Sequence, residues 1–147
     1  MAFDRFHWIR RIGSVEREYM AARFAIDHAI EQARNDPTLL RGDLRPRELL
    51  RAAESLEGTY VIRLFAEFET ALRKCWPTLK STAAPGRVHD VMQGLASAYK
   101  IGSDQLRNAH DVREFRNSLV HEREEKTPVI GIAMARSHLG HFLGRLL

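Results

Sequence analysis

The sequence predicts an all-α fold, a helical bundle of about five or six helices. Apolar residues recur at three- and four-residue spacing along nearly every long segment. No stretch sustains the two-residue alternation of a strand, and proline, glycine and capping residues fall where one periodic run gives way to the next.

The first run, Phe3 to about Ala33, sets Phe6, Ile9, Ile12, Tyr19, Ala22, Ile26 and Ile30 along one stripe. Gly13 and Ser14 mark a kink or a break in it. Asn35-Asp36-Pro37 ends it, because a proline biases the residue before it away from helical geometry. After the turn-rich TLLRGDLRP, Pro46 opens the next helix with Glu48 in its first turn, where both are favoured. Leu49, Ala52, Ala53 and Leu56 begin its stripe; Tyr60, Leu64, Phe65, Phe68, Leu72, Cys75 and Trp76 continue it past Gly58, where a bend or break is expected. Ser81 to Gly86 reads as a loop and Val88 to Tyr99 as a shorter helix. Ser103 or Asp104 then caps a helix from Gln105 to about Glu125. Lys126-Thr127-Pro128 ends that helix and opens the last, with Thr127 as N-cap and Pro128 in its first position; Ile130, Met134, His138, His141 and Phe142 carry the pattern to Leu147.

A chain of 147 residues fits one domain, 1–147, and buries a real core without staples. With 44% hydrophobic and 29% charged residues, disorder is not the expectation. Cys75 is the only cysteine, which excludes a disulfide framework and a zinc knuckle and fits a reducing compartment. Charges interrupt the N-terminal MAFDRFHWIRRIG, unlike a signal peptide, and PVIGIAMA is too short to span a bilayer. The expectation is a soluble, cytoplasmic protein with no membrane partner. Net charge is +4, and arginine far outnumbers lysine among the 23 basic residues. Arginine's rigid fork suits phosphate, so an RNA or DNA partner is compatible. Gene base composition produces the same excess, so charge alone assigns no partner.

The chemistry concentrates in REFRNSLVHERE, Arg113 to Glu124. On a helical wheel His110, Glu114 and Asn117 cluster around His121, while Val112, Phe115 and Leu119 lie opposite and should face the core. Arg116 falls near the edge of that core face, away from His121. One helix alone therefore does not bring Arg116 and His121 together; arginine's length or a second copy of the helix must. An ordinary solvated face also accounts for this stretch, with Arg116 paired to Glu67 or Glu69 and His121 to Asn117 or Glu125.

The spacing is more specific than the composition. Arg116-Asn117-Ser118-Leu119-Val120-His121 resembles the signature of the HEPN superfamily: an arginine, usually a polar residue after it, and a histidine after four to six intervening positions. Leu64 to Trp76, LFAEFETALRKCW, is similar to the acidic, arginine-containing helix that faces the motif in many members. The resemblance implies a HEPN-like bundle of helices, an association with nucleic acid and, where the motif is intact, metal-independent endoribonuclease activity, as in toxins of toxin–antitoxin and antiphage systems. An antitoxin protein is then a possible partner. The resemblance also implies a two-fold homodimer with two motif helices at one cleft.

RNA carries its own nucleophile, the 2′-OH beside the scissile phosphate, so no metal-activated water is required and no metal or cofactor is expected. His121 serves as acid or base near neutrality, Arg116 clamps the phosphate and stabilises developing charge, and Asn117 orients His121 or donates to a phosphate oxygen. The products are a 2′,3′-cyclic phosphate and a 5′-OH. Two Arg116 side chains brought together need compensation, for which Glu69 is the candidate, with Arg73 one turn on; Arg113 and His110 complete the supporting set.

Other groups carry less. His138 and His141 lack a third metal ligand with convincing spacing. His28 and Asp27 read as surface on a helix packing through Phe24 and Ile26. His7 and Trp8 belong to an amphipathic terminal helix, and Ser118 lacks a nucleophile elbow. Three functions stay open: a dimeric endoribonuclease, a catalytically silent interaction domain, and a nucleic-acid or nucleotide binder that does not cleave. A His121 buried against Leu119 or Phe115 favours the second; a wet groove holding both Arg116 residues favours the first.

Overall fold

The first helix starts where the sequence offers an acceptor to its orphan amides: the Asp4 carboxylate accepts from the backbone N–H groups of Phe6 and His7. The computed structural model describes residues 2–121 and 127–147. Among them are five α-helices, α1 (Arg5–Asn35), α2 (Pro46–Leu79), α3 (Val88–Ala98), α4 (Ser103–His121) and α5 (Ile132–Leu143), with a 3₁₀ turn at Pro37–Leu39 and no strand. The all-α bundle is as the periodicity predicts. Asp36 turns extended before Pro37, and Pro46 occupies the first turn of α2.

At the two places where a kink, bend or break is expected, the helix is continuous. α1 runs unbroken through Gly13 and Ser14, flanked by buried Ile12 and Val15. Packing on both sides outweighs the roughly 1 kcal/mol a lone helical glycine costs. α2 runs unbroken through Gly58. Glycine has another use there: the Leu119 side chain of α4 lies 3.3 Å from where a Cβ would stand, so its absence lets α4 approach α2 closely.

Three boundaries also move. α4 begins at Ser103, with the Gly102 carbonyl accepting from Leu106 at 3.0 Å, so Ser103 and Asp104 stand in the first turn and do not cap it. Its expected continuation to about Glu125 falls on residues 122–126, outside the described residues. α5 begins at Ile132 after Gly131, not at Pro128. Ile130 and Ile132 both enter the core, a two-residue alternation that extended backbone provides and a helix does not. α5 ends at Leu143; beyond it Leu146 is buried, and Arg5 Nη1 donates to the carbonyls of Gly144 (3.0 Å) and Leu146 (3.1 Å).

α2 packs against each of the other four helices. Its Leu64, Phe65, Phe68 and Leu72 are fully buried with Ile12 of α1, Met92 and Leu95 of α3, and Leu139 and Phe142 of α5. The Phe68 ring meets Phe142 edge-on at 5.5 Å. Gly94 of α3 sits so close to Trp76 that an added Cβ would stand 2.7 Å from the indole. Phe24, expected to pack α1 inward, is instead 78% exposed, and Leu119, expected in the core, is 37% exposed over Gly58. Among the described residues no helix is long and apolar enough to cross a membrane.

Candidate functional site

Arg116 leaves α4 toward α2. Its guanidinium carbon lies 4.6 Å from the centre of the Phe65 ring, a cation–π distance, and Nη2 reaches Glu69 Oε2 at 3.5 Å. The side chain is 20% exposed. Of the two carboxylates weighed for Arg116 the partner is Glu69; Glu67 is taken by a bidentate pair with Arg11, both contacts at 2.9 Å. Phe65 has no exposed surface, so the ring beneath the cation is part of the core.

Arg73, one turn beyond Glu69, donates through Nε and Nη2 to Glu69 Oε1 at 3.2 and 2.9 Å. It also donates to the carbonyls of Pro85 (2.7 Å) and Gly86 (2.9 Å), pinning the loop that leads into α3. Two guanidinium groups thus share one carboxylate. Arg73 is close and multiply bonded, whereas Arg116 keeps a single long contact. A guanidinium has five N–H donors, so most of those of Arg116 have no partner among the described residues.

One turn toward the N-terminus of α4, Arg113 Nε donates to His110 Nδ1 at 3.1 Å and Nη2 to Glu114 Oε1 at 2.6 Å. Arginine Nε–H only donates, so His110 Nδ1 accepts and the proton of the neutral ring sits on Nε2. The Gln93 amide nitrogen of α3 is placed 3.2 Å from that Nε2, two donors facing each other. The network therefore requires the carboxamide oxygen to face the ring. Burial, then the Arg113 charge and His89, lower His110 to about 4. His110 is a neutral ring near pH 7, unsuited to donate a proton as imidazolium.

The sequence reading missed His89. Its ring stacks on His110 with centroids 4.8 Å apart and planes 30° from parallel. His89 and Gln93 are four apart, so their shared helical face was legible; that this face meets α4 was not.

His121 is exposed at the last described turn of α4, and its side chain has no hydrogen bond or ion pair among the described residues. The Asn117 bond weighed for it is not made, and Glu125 lies outside the described residues. Asn117 is half-buried. Arg116 and His121 leave the helix roughly 140° apart at about 100° per residue, so one chain gathers Glu69, Arg73, Arg116 and Phe65 at one place and leaves His121 elsewhere. Ser118 is engaged, donating to the Phe115 carbonyl at 2.6 Å. Burial raises the Cys75 thiol, which suits packing better than nucleophilic attack. Among the described residues no group of three or more His, Cys, Asp or Glu is arranged to hold a metal ion.

No family model, no curated protein and no solved structure matches the chain.

Proposed function

We propose that the chain is a HEPN-like, metal-independent endoribonuclease acting as a homodimer. In this reading Arg116 clamps the scissile phosphate, His121 transfers the proton, and Asn117 orients His121 or donates to a phosphate oxygen. The observation that carries it is the state of Arg116. A guanidinium held over a core phenylalanine, sharing one carboxylate with a better-bonded arginine, leaves net positive charge and unspent donors at a partly buried position. Such a group is preorganised for an oxyanion, which is the stabilisation that a pentacoordinate phosphorane needs.

The dimer follows from the divergence of Arg116 and His121. A second α4 brings another Arg116 and His121 to a shared cleft and separates the base that takes the 2′-OH proton from the acid that protonates the 5′-oxygen. The exposed apolar side chains Met20 and Phe24 on α1 and Met134 on α5 offer surface for such a contact. The proposed setting is a cytoplasmic toxin or antiphage-defence component, restrained by an antitoxin protein.

A non-catalytic interaction module is the second reading. It is favoured by a largely apolar cleft of about 500 Å³ between α2, α4 and the segment before α5, with Ile62, Phe115, Leu119 and Val129 on its walls and Glu54 and Glu57 among its polar residues.

The deciding assay compares purified wild type and His121→Ala on mixed cellular RNA with EDTA present, scored for 2′,3′-cyclic phosphate ends. Wild type should cut and the variant should lose roughly two to four powers of ten. Equal cutting by both rejects His121 as catalyst. Cutting by neither, across several RNAs, favours the interaction module.

A further inference from the structure

The His89–His110 pair is a histidine cluster to which the proposed reaction gives no chemistry. His110 has both ring nitrogens engaged within the protein, by Arg113 on one side and Gln93 on the other. Its protonation is suppressed, so it presents an uncharged aromatic plane. That plane backs His89. Asp90 Oδ1 lies 3.2 Å from His89 Nδ1, which fixes the ring at the start of α3. The His89 side chain is 38% exposed. With one face against His110, its open surface is the opposite face and the edge.

We propose that the His89 ring, backed by His110, is a stacking platform for an unpaired nucleobase of a single-stranded RNA. The inference rests on the endoribonuclease reading for the identity of the strand. Single-stranded nucleic acid is held by aromatic planes set beside arginines, because every base offers a π-face and every linkage a phosphate. Here Arg113 is spent on His110 and Glu114, and the arginine left for a phosphate is Arg116, farther along the same helix. His110 and Arg116, the proposed phosphate clamp, are roughly 9 Å apart along the α4 axis, at about 1.5 Å per residue. The platform therefore holds a base a few nucleotides from the scissile bond and sets where along the strand the cut falls. His89 and His110 act here as binding residues, with no part in proton transfer.

The test uses an uncleavable probe, a fluorescein-labelled 2′-O-methyl twelve-nucleotide strand of mixed sequence, beside a strand of equal length whose sugars carry no bases. Wild type should bind the first roughly ten-fold or more tighter than the second. His89→Ala should remove most of that difference, and His89→Phe, which keeps a plane and discards the ring nitrogens, should retain it. Thermal melting of both variants separates a lost platform from a lost fold, and His89→Phe keeps the proposal testable if His89→Ala unfolds. Equal binding of the two strands by wild type overturns the platform, as does unchanged discrimination in His89→Ala. A wild type that cuts RNA but discriminates through some other residue loses the platform and keeps the nuclease. One that discriminates through His89 yet leaves no cyclic-phosphate ends keeps the platform and loses the nuclease.

Discussion

The two ends of α4 differ in what holds them. At the His110 end, Gln93, Arg113 and the stacked His89 fix the ring from two helices. At the His121 end the helix reaches its last described turn with an exposed histidine, and its apolar neighbour Leu119 leans on Gly58. Arg116 lies between, seated on Phe65. A side chain held from several directions keeps its geometry but has little freedom to take part in a reaction. One held from a single side is available, and needs a substrate or a partner chain to define its position. Under the proposed function, the anchored end suits recognition and the open end chemistry.

The largest expected effect separates the two kinds of residue. His121→Ala and Arg116→Ala should each reduce RNA cleavage by roughly two to four powers of ten. Only Arg116→Ala should also lower stability, by about 1 kcal/mol, because it vacates the face of Phe65 and leaves Glu69 to Arg73 alone. Urea titrations of the two variants beside their cleavage rates make the comparison. Equal destabilisation by both would erase the distinction between the ends.

A mid-sized effect is expected at Gly94. Alanine there must displace the Trp76 ring, at a cost of about 1–3 kcal/mol, and α3 shifts with it. His89 and Gln93 ride on α3, so the amide resonances of the His110 turn should move in a two-dimensional NMR spectrum while those of the His121 turn stay put. Shifts confined to the His121 turn would contradict the packing described.

The smallest effect is in pH. His110 titrates near 6.5 when unfolded and near 4 when folded, so between those values the unfolded chain binds more protons and stability rises with pH. The penalty is absent above about pH 7 and grows as pH falls through 6.5 toward 4. With solvent screening the half-buried ring, it amounts to about 1–2 kcal/mol. Replacing His110 by Gln should flatten that part of the curve relative to wild type, read by urea denaturation at pH 7 and pH 4.5. Parallel curves would mean that the ring accepts a proton in place.

The helices were legible because their stripes are long and regular, and Pro46, Asp36 and the Ser81–Gly86 loop speak for themselves locally. Gly13 and Gly58 do not interrupt their helices; local propensity does not register what packs beside a glycine. The start of α5 misled because Thr127-Pro128 is a good opening that the burial of Ile130 overrides. In the site, the pairing of Arg116 with Glu69 was legible as one of two choices, since both carboxylates lie on the helix facing the motif. Phe65 read only as core and His89 not at all, because each acquires its second role from a different helix.

Phe65 limits how far this protein can drift. Its ring touches Phe68 at 5.5 Å between centroids and carries Arg116 at 4.6 Å. A core position ordinarily accepts another apolar residue of similar bulk. Phe68, one turn along, has that latitude as far as Arg116 is concerned. At Phe65, leucine or methionine preserves the oiliness but discards the ring quadrupole on which the guanidinium rests. In a saturation scan scored separately for abundance and for cleavage, Phe65 should tolerate aliphatic replacements in the first score and reject them in the second, marking a core residue whose mutational freedom is set by the cation above it.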